Sequence, residues 1–167
     1  MEFTNVVKER FSTRKFSDKK VEKEKLDRIL EAARLAPTAK NMQAFKIYAV
    51  DSVEGLASVD KATRCRYNAP TVLIICGDKS GYAHGSHSFV DIDTSIVTTH
   101  LMLAATNEGV DNIWIGLFEP EILRSEFNIP DNLIPVNVLP LGYKTADYEP
   151  SPMHYTRKNI EELVEYK

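Results

Sequence analysis

A chain of 167 residues with 43% hydrophobic side chains, including seven each of Tyr and Phe, can bury one good core but hardly two, so a single domain over residues 1–167 is expected. Its 21 Lys and Arg against 24 Asp and Glu leave a formal charge of −3, with no basic excess to follow a nucleic-acid backbone, which argues against a nucleic-acid partner. Cys65 and Cys76 are too widely separated for a redox pair and lack a second pair for zinc, and no apolar run reaches signal-peptide or membrane-spanning length, so a soluble, cytoplasmic protein with no membrane partner is expected.

In chain order, Thr4 or Asn5 can cap a short helix carrying Val6, Val7 and Phe11, after which Arg10 to Arg14 leave on a loop. From Lys23 the residues Leu26, Ile29, Leu30 and Ala33 follow the spacing of one buried helix face until Ala36-Pro37 stops it. Thr38 to Gln43 then form a loop. Phe45 to Val50 reads as a strand, Thr71 to Cys76 as a strand covered on both faces, and Ile113 to Phe118 and Val136 to Leu141 as two more. The loop Gly77 to His87, with three glycines and two serines, is the most flexible-looking piece. Asp91 to Glu108 is apolar on most sides and ends at Gly109, the mark of a central buried helix. Pro120 suits the first turn of a helix containing Ile122, Leu123 and Phe127. The interleaved pattern gives an α+β layer fold, with the strand order left open.

Two stretches carry chemistry. In Arg10-Phe11-Ser12-Thr13-Arg14-Lys15, two arginines, a lysine and two hydroxyls fall within six residues, the charge-assisted and forked donors a phosphomonoester needs. In Pro37-Thr38-Ala39-Lys40-Asn41-Met42-Gln43, the amides of Asn41 and Gln43 each set a donor beside an acceptor and can match the edge of a pyrimidine-like ring. A ligand with a phosphate at one end and such a ring at the other is flavin mononucleotide, FMN. Read locally, the first stretch also fits solvated cations, the second an ordinary helix stop, and Trp114 a core side chain.

With Arg10-Phe11-Ser12-Thr13-Arg14-Lys15-Phe16 followed, one helix later, by Ala36-Pro37-Thr38-Ala39-Lys40-Asn41-Met42-Gln43, the chain resembles the nitroreductase family of FMN-dependent oxidoreductases. The resemblance continues in order through Ala69-Pro70, Val90-Asp91-Ile92, Leu101 to Ala105, Trp114-Ile115-Gly116, Pro140-Leu141-Gly142-Tyr143 and Arg157-Lys158, nearly the whole chain. Ala44-Phe45 departs from the family's usual Pro-Trp, and the chain is too short for the extra helices that larger members fold over the flavin. The resemblance implies a nitroreductase-like fold, a central mixed β-sheet flanked by helices, and a homodimer with flavin at the subunit interface. It implies that Arg10, Ser12, Arg14, Arg157 and Lys158 surround the FMN phosphate and ribityl chain. Pro37, Thr38, Ala39, Asn41 and Gln43 would reach the flavin of the partner subunit. Trp114, Ile115 and Gly116 would lie at the reactive edge of the ring, where a glycine lets the backbone N–H approach closely.

The implied activity is hydride transfer from NAD(P)H through bound FMN to a small-molecule electron acceptor such as a nitroaromatic or quinone. The flavin carries the chemistry, so no catalytic side chain is required. The alternative is a flavin-binding module that carries or senses FMN without turnover. His84 and His87, with Asp91 and Asp93, are the only metal-like cluster, and they lie in a glycine-rich loop without a compelling third ligand, so no metal site is expected. His100 suits a core or flavin-side residue better than a base, and Cys65 and Cys76 suit packing.

Overall fold

The computed structural model describes residues 2–167. Its spine is β2 (Thr71–Asp78), whose apolar side chains alternate between two covered faces. Leu73 and Ile75 pack with α2 (Lys23–Arg34) and α4 (Val90–Asn107), whereas Val72, Ile74 and Cys76 pack with α3 (Val53–Ala62) and α5 (Pro120–Glu126). The sheet order is β1 (Phe45–Val50), β2, β6 (Leu133–Gly142), β5 (Asp111–Asn112), with every named pairing antiparallel. Among the described residues its one parallel feature is the bridge between Ser12 and Asn112. The α+β class with helices on both faces is as expected.

The amphipathic pattern of α2 buries Ile29 and Ala33, with Leu26 and Leu30 packed at the edge of the same core. α4 closes as expected: Gly109 adopts φ 69°, Gly109 N–H bonds Thr106 O at 3.0 Å, and Val110 N–H reaches Ala105 O at 2.8 Å, the pair of bonds that satisfies the last carbonyls of a helix. Pro120 occupies the first turn of α5. α1 (Phe3–Glu9) differs from expectation. Thr4 and Asn5 lie inside it, and extended Glu2 precedes it, its carbonyl accepting from the N–H groups of Asn5 and Val6. Val6 is the buried residue of this helix.

Three further differences concern the strands and one helix. Ile113 to Phe118 is not a strand. The chain pairs with β6 at Asp111–Asn112, loses the ladder, and rejoins it at the single bridge of Ile115 to Val138. Ile113 N–H donates to Pro140 O at 3.3 Å, but proline has no N–H to return, so the ladder breaks there. β3 (Ala83–His84) and β4 (His87–Ser88) form a short hairpin inside the glycine-rich stretch, and Gly77 belongs to β2, where a Cβ would collide with Val90 Cγ1. α3 carries no strong apolar period; Ser52 caps it by accepting from Gly55 N–H at 3.1 Å, and Val59 is its fully buried anchor. Cys76 is buried in the sheet and Cys65 is half-buried. Among the described residues, no helix is long and apolar enough to cross a membrane.

Candidate functional site

Arg10, Ser12 and Arg14 leave α1 on an extended segment and meet Arg157 of the C-terminal segment around a cleft of about 570 Å3. Phe11, Tyr148, Glu149, Ser151, Met153 and His154 complete its wall, Phe11 stacking on Tyr148 at 6.2 Å and meeting His154 edge-on at 6.1 Å. Tyr148 donates its hydroxyl to Ser12 O at 2.9 Å and so ties the C-terminal segment to the basic run. The cations are held against their own repulsion. Burial pushes the Arg10 pKa down, and the charge of Arg157 adds to that push. Arg10, Arg14 and Arg157 take part in no ion pair among the described residues; Arg157 donates instead to the carbonyls of Met153 and Thr156, at 3.1 and 2.7 Å. Glu149 also lines the cleft but pairs with none of these arginines, so two neighbouring guanidiniums keep their charge available to a polyanionic group. Lys158, grouped with these residues in the sequence, is exposed and does not line the cleft.

The segment carrying Trp114, Ile115 and Gly116 begins at the same place. Thr13 N–H donates to Asn112 O at 3.0 Å, so the basic run and this segment are joined backbone to backbone. Ile115 is buried and bonded to Val138 through both of its backbone groups, at 2.8 and 3.1 Å. Trp114 is half-buried and donates its indole N–H to Asn137 Oδ1 at 2.9 Å. Gly116 is exposed, and a Cβ there would meet nothing within 4 Å.

The loop after Pro37 lies apart from the basic cleft, and no hydrogen bond or shared cleft joins the two among the described residues. It holds an unusual backbone: Lys40, Asn41 and Gln43 have φ of 51, 54 and 50°. Each left-handed non-glycine residue costs about 1 kcal/mol or more, and such strain persists only where the surroundings impose it. Here they do. Thr38 Oγ1 accepts from Gln43 N–H at 2.9 Å, Asp93 Oδ1 of α4 accepts from Ala39 N–H at 3.0 Å, and Lys40 Nζ sits 4.4 Å over the Tyr82 ring. Asn41 and Gln43 are exposed and their amides bond weakly to each other, at 3.4 Å, leaving most of their capacity for a ligand.

Sequence reasoning missed Tyr148 and His154, whose link to Arg10 and Ser12 has no local signal because the partners sit at opposite ends of the chain. It noticed Asp93 only as a metal-like carboxylate, whereas Asp93 is buried and fastens the strained loop. His84 and His87 face one another across the hairpin, and no group of three His, Cys, Asp or Glu able to hold a metal occurs among the described residues. His100 bonds Ile96 O at 2.9 Å and lines a shallow groove on the outer face of α4 with Ile92, Ser95, Ile96 and Thr99.

Comparison with known proteins bears on the family and the fold. The nitroreductase family model matches residues 7–68 and 65–143. A crystal structure of a nitroreductase family protein from Clostridium difficile is 40% identical, covers 100% of this chain and 99% of its own, and superposes with a TM-score of 0.91. A protein of Archaeoglobus fulgidus provisionally named an NADH dehydrogenase/NAD(P)H nitroreductase is 31% identical over 141 residues, 80% of each chain. A provisionally assigned nitroreductase from Exiguobacterium sibiricum, solved in complex with FMN, is 25% identical over 100% of this chain and 98% of its own, with a TM-score of 0.87. By its family match, its fold and the order of its motifs, this chain belongs to the nitroreductase family.

Proposed function

We infer that the chain is an FMN-dependent oxidoreductase, a single domain of residues 1–167 that works in the cytoplasm as a homodimer, with NAD(P)H as hydride donor and a nitroaromatic, quinone or similar small molecule as acceptor. The observation that carries this reading is the pair Arg10 and Arg157, neighbouring cations with no ion-pair partner among the described residues, at the wall of a cleft of about 570 Å3. That volume lies within the roughly 300–1,000 Å3 of cofactor sites. The residues fit the group. Arg10, Ser12, Arg14 and Arg157 would hold the phosphate and ribityl chain, and the open space at Gly116, on the segment bonded to the basic run, lets its backbone N–H meet the ring. Bound FMN supplies the redox chemistry, taking a hydride from NAD(P)H and passing two electrons to the acceptor. The protein binds, orients and excludes water.

A second copy of the chain completes the site. α4 carries apolar residues on all sides, as a fully buried helix does, yet Ile92 is 39% exposed and the groove beside it is uncovered. The strained loop of Thr38 to Gln43 is fastened to this end of α4 through Asp93, so a partner packed on the groove would receive Asn41 and Gln43 at its own flavin.

The test is the visible spectrum of freshly purified protein, the mass of any released chromophore, and anaerobic addition of NADH and NADPH. Flavin bands, released FMN and rapid bleaching, with reoxidation by a nitro compound or quinone, are expected. Bound FMN that neither nucleotide bleaches would leave a flavin-binding module, and a colourless protein that takes up no FMN would end the reading.

A further inference from the structure

Asn137 lies in the middle of β6 beside Val136, the extra residue of a bulge opposite Ile75 and Cys76, and is only 4% exposed. Its side chain is used at both ends: Oδ1 accepts the Trp114 indole N–H at 2.9 Å, and Nδ2 donates to Thr98 Oγ1 of α4 at 3.0 Å. Thr98 donates in turn to the backbone carbonyl of Thr94 at 2.7 Å, so a line of hydrogen bonds runs from the indole through Asn137 to the backbone of α4. The chemistry of each link sets its direction. An indole N–H only donates, and the Thr98 hydrogen is already given to Thr94, so the group between them must accept on one side and donate on the other. A primary amide does both. Burying one is costly unless its oxygen and its nitrogen both find partners, and each has one here.

The chain on either side of Gly116 is clamped. Ile115 is bonded to Val138, the neighbour of Asn137, through both backbone groups, and Leu117 O accepts from Thr63 Oγ1 at 2.7 Å. Gly116 stands exposed between the two clamps, with nothing within 4 Å of where its Cβ would be. We propose that Asn137 is a positioning residue for the flavin ring: by holding the Trp114 indole to α4 it sets the course of residues 114–116 and hence the place at which the Gly116 N–H meets the ring. This rests on the FMN reading above.

Trp114 is the only tryptophan, so its emission reports on one site. Three variants test the proposal: Asn137→Leu removes both bonds, Trp114→Phe keeps an aromatic ring but loses the donor, and Thr98→Val breaks the far bond. Asn137→Leu and Trp114→Phe are each expected to slow reduction of bound FMN by about tenfold, the scale of a small misplacement at a reacting centre. FMN affinity should stay within about threefold. The double variant should be no slower than the slower single one, because both remove the same interaction. In flavin-free protein, Asn137→Leu should shift Trp114 emission and lower its anisotropy. Unchanged reduction in Asn137→Leu, rate losses that multiply in the double variant, or an affinity loss that matches the rate loss would overturn the positioning role. Should Asn137→Leu not fold, Trp114→Phe and Thr98→Val carry the same comparison, with the smaller slowing expected for Thr98→Val. Should the wild-type protein bind no FMN, the FMN reading fails, while Trp114 emission of flavin-free Asn137→Leu and Thr98→Val still shows whether Asn137 holds Trp114.

Discussion

Arg10 and Arg157 come from opposite ends of the chain to one cleft, where burial and mutual repulsion both work against Arg10. Removing either should therefore cost the flavin-free protein little and the complex much. Arg10→Ala and Arg157→Ala are each expected to weaken FMN binding by about 1.5–3 kcal/mol, the scale of hydrogen bonds to a charged group, in a flavin-fluorescence titration. The flavin-free unfolding midpoint should hold or rise. Affinities unchanged within error in both variants would remove the phosphate role. At the same scale the two thiols differ: burial pushes the Cys76 thiol up to about 12, with an opposing pull from Arg124, while Cys65 is half-buried. A thiol reagent at about pH 8 should label Cys65 in the native protein and Cys76 only on unfolding. Rapid labelling of both would contradict the packing of β2.

β2 owes its stability to cover on both faces, so neighbouring residues on it probe different cores. Leu73→Ala strips the side toward α2 and α4, Ile74→Ala the side toward α3 and α5. Each should cost about 2–5 kcal/mol in denaturant unfolding, because both side chains are fully buried. A near-neutral result at one of them would mean that face is not packed as described. α2 is tied to the far end of β6 by Glu22, whose carboxylate accepts the Tyr143 hydroxyl and pairs with Lys19 at 2.9 Å. The Tyr143 bond, then Lys19, holds that carboxyl at about 2 instead of 4.5. A depressed carboxyl stabilises the fold above its unfolded value and loses that contribution as the pH falls toward the folded one. The stability difference between wild type and Glu22→Gln should therefore be present at neutral pH and shrink between about pH 4.5 and pH 2; a difference independent of pH would show that Glu22 acts by packing alone.

For the molecule as a whole, the uncovered groove of α4 and the exposed C-terminal side chains, with Ile160 at 66% and Leu163 at 68%, are surfaces a lone chain leaves in water. Sedimentation velocity should find two chains per particle. Ile96→Glu, which places a charge in the groove, should yield single chains with weakened flavin retention. A wild-type single chain that carries FMN would refute the shared site.

By itself the sequence determined what is encoded within a few residues: the apolar period of α2, the all-round apolar character of α4, the doubly covered run of β2, the stops at Pro37 and Gly109, and the two polar stretches that resemble a known family. It was silent on α3, whose helix is closed by one cap and one buried valine, and misleading on Ile113 to Phe118, where the missing N–H of Pro140, a residue of another strand, breaks the ladder. Only the tertiary structure brought Arg157 to Arg10, Asp93 to the loop of Ala39, and Asn137 between Trp114 and Thr98. Each of those contacts joins groups far apart in the chain. They form only once the intervening apolar surfaces have packed, and for buried Asp93 and Asn137 the loss of water makes each hydrogen bond count for more.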